Sequence, residues 1–304
     1  MKQITIGGAL PASALSLGLW RVGEMTPTAV RTLLETAVEE GIDFIDTADI
    51  YGGGKSEELL GGALRESGLR EKVLVQTKCG IRRGQYDFSK EHILASVEGS
   101  LRRLQLDYVD ALLLHRPDAL VEPAEVAETF ALLQRQGKVR YFGVSNHKPM
   151  QMELLQRALP QKLIANQLQF SLTNSTMLSA GTHANMELPD ALDRDGGILD
   201  YCRLNDITIQ VWSPLQYGVF QGSFLGNDEK YPELNRLLAQ LAAEKGVTPA
   251  AVAFAWILRH PAKMQPITGT TDPQHLREVC RACDIEISRE EWYQLYLASG
   301  NTLP

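Results

Sequence analysis

Short apolar runs alternate with longer amphipathic runs along the chain from residue 15 onward. The longer runs repeat apolar residues at helical spacing, as Val30, Leu33, Leu34 and Ala37 do between residues 26 and 40. The short runs show little period-two alternation, which is typical of parallel strands covered on both faces. The runs predicted as strands span residues 16–20, 42–46, 73–78, 108–115, 139–146, 163–170, 208–215 and 264–269.

Strands that alternate with helices, with no linker between them, predict one closed (β/α)8 TIM barrel, with residues 1–304 as a single domain. The segment before the first strand is interrupted by Gly7, Gly8 and Pro11, so it predicts a short N-terminal β-hairpin rather than a secretory signal. An open doubly wound sheet is the alternative. However, the first strand–helix turn lacks the GxGxxG pattern with which that fold usually holds a dinucleotide.

The segment from Gly41 to Gly62, GIDFIDTADIYGGGKSEELLGG, passes from an apolar strand to Asp46 and Tyr51 and then into a helix. Ser56 is predicted to cap this helix, whose first turn is acidic. The run GGGKS resembles the end of a phosphate-binding loop, but the upstream glycine of that motif is missing. The segment therefore predicts a strand that delivers a carboxylate and a phenol to the barrel rim.

Polar residues also lie at or near the ends of the other apolar runs. They are Lys78, His115, Ser145, Asn146, Asn166 and Gln167. Because the carboxyl ends of barrel strands form one face, these side chains are expected to converge there with Asp46 and Tyr51. Each has a plain structural alternative. A lysine at a strand end is commonly solvated, and a histidine after three leucines is more often a hydrogen-bonded core residue.

Together, four of these residues could form a proton-transfer site. A phenol titrates at about pH 10, and a neighbouring ammonium lowers that pKa by stabilising the phenolate. We expect Lys78 to lower the pKa of Tyr51 in this way, with Asp46 as the counter-ion of Lys78. His115 would orient a substrate oxygen or share its proton, which makes the set a general acid. Since no nucleophile is evident, the attacking species, such as hydride, is expected to come from a bound cofactor.

Charge and cysteine content narrow the range of partners. A net charge of -7 without a basic run argues against a nucleic-acid surface. No window approaches the roughly 18 apolar residues of a membrane span. The six histidines lack metal-binding spacing, so no metal is expected. Four scattered cysteines favour a reducing cytoplasm, although the CxxC of Cys280 and Cys283 leaves a metal or redox role as a lesser alternative.

From about Leu17 to Glu278, the chain resembles the aldo-keto reductase family. The matching segments follow the family's order and spacing: GIDFIDTADIYGGGKSEELLGGAL, VLVQTK, SVEGSLRRLQLDYVDALLLHRPD, FGVSN, ANQLQFS, VWSPL and ITGTT. It is most similar to the bacterial branch that includes oxidoreductases and relatives of potassium-channel β-subunits. The resemblance implies an NAD(P)H-dependent reduction of a small-molecule carbonyl, an aldehyde or a ketone, to an alcohol.

The resemblance also implies roles for individual residues. Asp46, Tyr51, Lys78 and His115 correspond to the catalytic tetrad, with Tyr51 as the proton donor, and Trp20 corresponds to an aromatic residue of the substrate pocket. The implied cofactor contacts are Ser145, Asn146 and Gln167 for the nicotinamide carboxamide, Trp212 for the ring, Ser213, Leu215 and Gly218 for the diphosphate, and Gly269, Thr270, Thr271 and His275 around the last strand and helix.

Around the last helix the chain departs from the family pattern. Many relatives carry Lys-Ser and then Arg there to bind the 2′-phosphate of NADPH, whereas this chain has Gly269, Thr270 and His275. The N-terminus of the helix is expected to receive a phosphate, with Arg277 or Arg281 assisting. The resemblance to the family still favours NADP(H) as the cofactor, and NAD(H) is the alternative.

Residues 82–88, 116–123 and especially 171–197 are expected to form the pocket wall, because long loops on the active face of a barrel usually serve binding.

Two alternative functions remain. One is a nucleotide-sensing module with slow turnover, as the channel-subunit relatives suggest. The other is an aldolase in which Lys78 forms a Schiff base.

Overall fold

Eight parallel strands close into a barrel in the computed structural model, which describes residues 1–218 and 221–304. The strands are β1 (Gln3–Ile6), β2 (Leu10–Ser13), β3 (Ser16–Gly18), β4 (Phe44–Asp46), β5 (Leu74–Cys79), β6 (Ile81–Arg82), β7 (Gln85–Tyr86), β8 (Val109–Leu114), β9 (Val139–Ser145), β10 (Leu163–Gln169), β11 (Thr208–Trp212) and β12 (Gln265–Thr268). The α-helices are α1 (Pro27–Glu39), α2 (Lys55–Ser67), α3 (Lys90–Leu104), α4 (Pro123–Arg135), α5 (Pro149–Ala158), α6 (Thr176–Thr182), α7 (Ile198–Leu204), α8 (Pro232–Lys245), α9 (Pro249–Leu258), α10 (Pro273–Cys280) and α11 (Arg289–Ala298).

The barrel order is β3, β4, β5, β8, β9, β10, β11 and β12, and β12 pairs back onto β3. The predicted TIM barrel is confirmed, and the open doubly wound sheet is excluded. All six residues of β8 are buried, as expected for a parallel strand between the barrel interior and the surrounding helices. The predicted strand 208–215 is too long, because Ser213 has a φ of 52° and this left-handed conformation ends β11 at Trp212.

The predicted N-terminal hairpin is confirmed, since β1 and β2 pair antiparallel. It packs across the amino-terminal end of the barrel, where the Gly7 amide donates to Thr208 Oγ1 at 2.9 Å. Its apolar side chains share one buried cluster with barrel residues: Ile6, Leu10, Ala12, Phe44, Leu113, Ile164 and Ala165. The carboxyl end of the barrel is therefore the end left for a binding site.

Helix α2 approaches α3 closely through Gly61. A Cβ atom at Gly61 would lie 2.4 Å from the carbonyl oxygen of Leu104 in α3. We expect Gly61→Ala to push the helices apart and lower the free energy of unfolding by about 1–3 kcal/mol. Gly62→Ala is the matched control, because a Cβ atom there meets nothing within 4 Å of the described structure. It should stabilise α2 by about 0.5–1 kcal/mol. Urea unfolding measures both variants, and equal stability would contradict the close contact.

Helices α8 and α9 are the only segment in the described residues with a possible resemblance to a membrane span. No single described helix is both long enough and apolar enough to cross a membrane. The two pass that test only when joined, and they are bent by 91° at the break between them. Trp256 of α9 is fully buried, so this apolar helix packs into the protein core.

Candidate functional site

The carboxyl ends of the barrel strands open into a cavity of about 1230 Å³. The predicted site residues that line it are Trp20, Asp46, Tyr51, His115, Ser145, Asn146, Gln167, Trp212, Ser213, Leu215, Gly269, Thr270 and His275. Lys78 is fully buried and reaches the cavity through its contact with Tyr51. Of the remaining predicted residues, Asn166, Gly218 and Thr271 lie outside the lining that the described chain forms. The expectation for Asn166 is wrong, because its side chain is fully buried and donates to the carbonyl oxygen of His147 at 2.8 Å. The other polar side chains at the strand ends converge on one face of the barrel.

Lys78 is held by three hydrogen bonds at the end of β5. Its Nζ atom donates to Asp46 Oδ2 at 2.8 Å, to the carbonyl oxygen of Thr47 at 2.8 Å and to Tyr51 Oη at 3.1 Å. These contacts use all three donors of an ammonium group. Burial opposes the charge of Lys78, but Asp46 and Tyr51 outweigh it and raise the pKa of the amine. A protonated amine is not a nucleophile, which argues against the aldolase alternative.

The expected direction of the Tyr51 pKa shift is wrong. Burial of the phenol raises the pKa of Tyr51 above its ordinary value, and the neighbouring Lys78 ammonium only partly offsets this increase. The expected decrease took account of the Lys78 ammonium but not of the burial of the phenol, which has the larger effect on its pKa. The phenol consequently keeps its proton at neutral pH, as a proton donor must before the reaction begins.

His115 lies beside Tyr51 as a neutral imidazole. The two ring centroids are 5.8 Å apart, and the rings meet edge to face at 74°. Burial, together with the charges of Lys78 and Arg116, lowers the pKa of His115 well below its usual value. Its Nδ1 atom has no hydrogen-bond partner within residues 1–218 and 221–304. A neutral ring next to the phenol can direct a hydrogen bond at a substrate oxygen without adding charge.

The loop that carries Tyr51 turns sharply into α2. Residues 52–54 are glycines with φ values of 58°, 66° and 95°, which glycine adopts without steric cost. The predicted cap at Ser56 is wrong, because α2 begins at Lys55 directly after this turn. Ser56 lies in the first helical turn, and its Oγ atom has no hydrogen-bond partner in the described chain. The turn therefore fixes where Tyr51 enters the cavity.

Four of the predicted nicotinamide contacts form one hydrogen-bonded chain. Trp212 Nε1 donates to Asn146 Oδ1 at 3.1 Å, and Asn146 Nδ2 donates to Ser145 Oγ at 2.7 Å. Ser145 Oγ donates to the carbonyl oxygen of Gln167 at 3.0 Å. Gln167 Nε2 in turn donates to Asp46 Oδ1 at 3.0 Å. This chain joins the indole of Trp212 to the carboxylate that holds Lys78.

Arg277 and Arg281 do not point to a phosphate at the cavity, as was expected, but form ion pairs with other residues. Arg277 donates to Glu39 at 2.9 Å and to Glu40 at 3.0 Å, and Arg281 pairs with Glu40 and with Asp284. Both glutamates lie at the end of α1, so these arginines tie α10 to α1. Neither guanidinium is available to grip a phosphate in the groove without breaking these pairs.

The N-terminus of α10 is also less open to phosphate than expected. Asp272 caps this helix by accepting a hydrogen bond from the Gln274 amide at 2.8 Å. A phosphate at this end would meet a carboxylate. The ionisable residues of the cavity lining that follow Trp212 in the chain are Asp228, Arg236, His275 and Glu278, and Arg236 bonds to Glu233 at 2.5 Å and 3.0 Å.

The expected pocket wall is largely wrong. Within the described chain, none of residues 171–197 lines the cavity. This segment instead contains α6 and bonds to the C-terminus, with Ser179 Oγ 3.0 Å from Tyr296 Oη and Ser175 Oγ donating to Asn301 at 2.9 Å. From residues 82–88 and 116–123, Arg116 alone contributes to the described lining. The other rim residues outside the predicted site set include Arg21, Ile50 and Ile81.

The CxxC pair is an ordinary part of the core. Cys280 and Cys283 are free and buried. Burial raises the pKa of Cys280 to about 12 and also raises the pKa of Cys283, whereas a reactive thiol needs a lowered pKa. Among residues 1–218 and 221–304, no group of three or more His, Cys, Asp or Glu side chains could hold a metal ion.

Two buried polar clusters were not predicted from the sequence. The first consists of Gln76, Gln210 and Gln265 inside the barrel. It could have been found in the sequence, because each strand carries a long polar side chain within an apolar run, as in VLVQTK. The second lies behind the Tyr51 loop, where Glu57 accepts hydrogen bonds from Thr77 at 2.6 Å and from Arg103 at 2.7 Å. The sequence carried no signal for this second cluster, because acidic residues are ordinary in a first helical turn.

Comparisons with known proteins cover almost the whole chain. A profile described as "Aldo/keto reductase family" matches residues 14–296. The 6-dehydroglucose reductase of Agrobacterium fabrum is 36% identical over 99% of this chain and 99% of its own length. The "Uncharacterized oxidoreductase YcsN" of Bacillus subtilis is 37% identical over 100% of both chains. A crystal structure of an aldo-keto reductase from Klebsiella pneumoniae in complex with NADPH has a TM-score of 0.78 and 28% identity, covering 100% of this chain and 97% of that one.

Proposed function

The chain belongs to the aldo/keto reductase family, and we propose that it is an NADP(H)-dependent oxidoreductase that reduces an aldehyde or ketone to an alcohol. The proposal rests chiefly on the hydrogen bonds of Lys78, which donates to Asp46 at 2.8 Å and to Tyr51 at 3.1 Å at the floor of the cavity. This arrangement places a protonated phenol and a fixed positive charge at the carboxyl ends of the barrel strands.

In the proposed mechanism, Tyr51 is the proton donor. The reduced nicotinamide supplies hydride to the carbonyl carbon when the cofactor is bound. As negative charge develops on the carbonyl oxygen, Tyr51 transfers its phenolic proton to that oxygen. Lys78 stabilises the phenolate that remains, Asp46 keeps Lys78 protonated, and neutral His115 orients the substrate oxygen by hydrogen bonding.

The residues at the cavity floor fit a nicotinamide. Ser145, Asn146 and Gln167 offer the hydroxyl and amide groups that can pair with a carboxamide, and Trp212 offers an aromatic face. Asn146 and Ser213 have φ values of 61° and 52° and both line the cavity.

We propose that the substrate is a polar aldehyde rich in oxygen atoms, such as 6-dehydroglucose. The relative from Agrobacterium fabrum that is 36% identical is a 6-dehydroglucose reductase. The lining also favours such a molecule, because it includes Arg21 and Arg116, whose guanidinium carbons lie 5.7 Å from the Trp20 ring and 5.8 Å from the Trp212 ring, respectively. The N–H groups of a guanidinium can donate hydrogen bonds to the oxygens of a sugar.

We also propose that residues 1–304 form one domain and that the protein works in the cytoplasm. In support of one domain, Trp256 of α9 and Trp292 of α11 donate to each other's carbonyl oxygens at 3.0 Å and 3.1 Å, which ties the last helix to the barrel. In support of a reducing compartment, the four cysteines are all free.

A carbonyl panel tests the function and the cofactor together. The panel contains 6-dehydroglucose, simple aldehydes and simple ketones, and each reaction is followed by the absorbance of NADPH or NADH. We expect turnover with NADPH, and highest kcat/KM for 6-dehydroglucose. NADPH should bind more tightly than NADH by about tenfold or less in a fluorescence titration, because Arg277 and Arg281 are paired with Glu39 and Glu40.

Other outcomes of the panel would redirect the proposal. Tight binding of NADPH without oxidation by any carbonyl would favour the nucleotide-sensing module. Tighter binding of NADH than of NADPH would assign NAD(H) as the cofactor, in line with the carboxylates of Asp272 and Glu278 at that end of the groove.

A further inference from the structure

A chain of buried glutamine side chains runs through the barrel interior below Asp46. Gln76 Nε2 donates to Asp46 Oδ1 at 2.7 Å and to Gln210 Oε1 at 2.8 Å. Gln210 Nε2 donates to Gln265 Oε1 at 2.9 Å, and Gln265 Nε2 donates to the carbonyl oxygen of Ser13 at 2.8 Å. All three glutamines are 0% exposed. Direct hydrogen bonds thus connect the carboxylate at the cavity floor with the N-terminal hairpin.

The side-chain amide of Gln76 is oriented so that its nitrogen donates two hydrogen bonds, while its oxygen accepts none from the described residues. Its Oε1 atom is buried and has no hydrogen-bond partner in the part of the chain that the structure describes. A buried, unpaired acceptor is unfavourable and calls for an explanation. Rotating the amide by half a turn would place Oε1 against the acceptor oxygens of Asp46 and Gln210. The orientation is therefore fixed by the need to donate to those oxygens.

Asp46 divides its two oxygens between different partners. Oδ2 accepts from Lys78 at 2.8 Å, whereas Oδ1 accepts from Gln76 at 2.7 Å and from Gln167 at 3.0 Å. Gln167 lines the cavity and is one of the proposed nicotinamide contacts, so its amide is shared with the cofactor. Gln76 lies outside the described lining, and its hydrogen bond to Asp46 Oδ1 is shorter than the one from Gln167. Gln76 is thus the donor that does not depend on what occupies the cavity.

We propose that Gln76 is a positioning residue for the carbonyl reduction. It holds the Asp46 carboxylate turned so that Oδ2 faces Lys78, and Lys78 in turn stabilises the phenolate of Tyr51. An amide that donates to one carboxylate oxygen fixes the rotation of the group about the Cβ–Cγ bond. The inference rests on the proposed function, because it requires Tyr51 to be the proton donor.

Gln76→Met tests the role, because methionine has a similar length and no donor. We expect kcat to fall by about tenfold or more, with the dissociation constant of NADPH within about twofold of wild type. Steady-state kinetics and a fluorescence titration with NADPH separate this loss of kcat from any loss of cofactor binding.

Gln265→Met is the matched control. Gln265 has the same side chain and the same full burial, but its amide bonds to Gln210 and Ser13 rather than to Asp46. We expect it to lower the melting temperature by a similar amount and to leave kcat within about twofold of wild type. Equal losses of kcat in the two variants would show that the glutamines serve only the barrel core and would overturn the proposal.

A double variant separates this inference from the proposed function. In an Asp46→Asn background, adding Gln76→Met should change kcat by less than about twofold, because the carboxylate that Gln76 serves is already gone. If Gln76→Met does not fold, Gln76→Asn takes its place, since its shorter side chain withdraws the amide from Asp46. Turnover by wild type that is lost in Tyr51→Phe, with Gln76 variants as active as wild type, would leave the proposed function intact and reject only the role of Gln76.

Discussion

Tyr51→Phe is expected to lower kcat/KM for carbonyl reduction by about a hundredfold to ten-thousandfold, the range that a positioned general acid contributes. The substitution removes the hydroxyl that lies 3.1 Å from Lys78 Nζ and leaves the aromatic ring beside His115. Hydride can still be supplied by the cofactor, but no group then delivers a proton to the carbonyl oxygen. Initial rates with NADPH, together with a fluorescence titration that should stay within about twofold of wild type, measure the effect.

Tyr296→Phe is the control for this experiment. It also removes a buried tyrosine hydroxyl, but that hydroxyl lies 3.0 Å from Ser179 Oγ in α6 and outside the described cavity lining. We expect a loss of about 1 kcal/mol in the free energy of unfolding and an unchanged kcat. A Tyr51→Phe variant that retains more than about a tenth of wild-type kcat/KM would rule out Tyr51 as the proton donor.

The barrel could be predicted from the sequence because each strand and helix carries its own local pattern. A strand such as VLVQTK is apolar on both faces and ends in a polar residue, and the closed architecture then brings all such ends to one rim. That reasoning placed Asp46, Lys78 and His115 near one another although they lie far apart along the chain. It worked because a short apolar run that stops at a polar residue marks the end of a strand to within a few residues, even where a run such as 208–215 extends past the strand.

Features that depend on contacts between distant segments could not be predicted. Arg277 was expected beside a phosphate, yet its partner Glu40 lies 237 residues earlier in the chain. The segment 171–197 was expected on the cavity wall, but it bonds to the C-terminal residues. The Tyr51 pKa shift depends on how deeply the loop packs. In each case the deciding partner or burial is set by tertiary packing, which local sequence patterns do not encode.

Asp49 carries a partly buried carboxylate that opposes folding once it is ionised. Its Oδ1 atom has no hydrogen-bond partner within the described residues. Burial and the nearby Glu57 carboxylate raise the pKa of Asp49 from 3.8 to about 7, although Arg103 works in the opposite direction. Between these two pH values the native state binds the proton more tightly than the unfolded state does. The stability contributed by the protonated form is therefore complete below about pH 4 and is lost as pH rises through about 7.

Asp49→Asn is expected to remove this dependence, because asparagine has the shape of a protonated aspartate and cannot ionise. A pKa difference of about three units corresponds to an upper value of about 4 kcal/mol, so the variant should be more stable than wild type by roughly 2–4 kcal/mol at pH 8 and about equal to it at pH 4. Urea unfolding at pH 4, 6 and 8 measures the trend, with Asp107→Asn as the control for loss of an exposed carboxylate. Parallel stability curves for wild type and Asp49→Asn across this range would mean that the pKa of Asp49 is the same in the native and unfolded states, with Arg103 offsetting burial and Glu57.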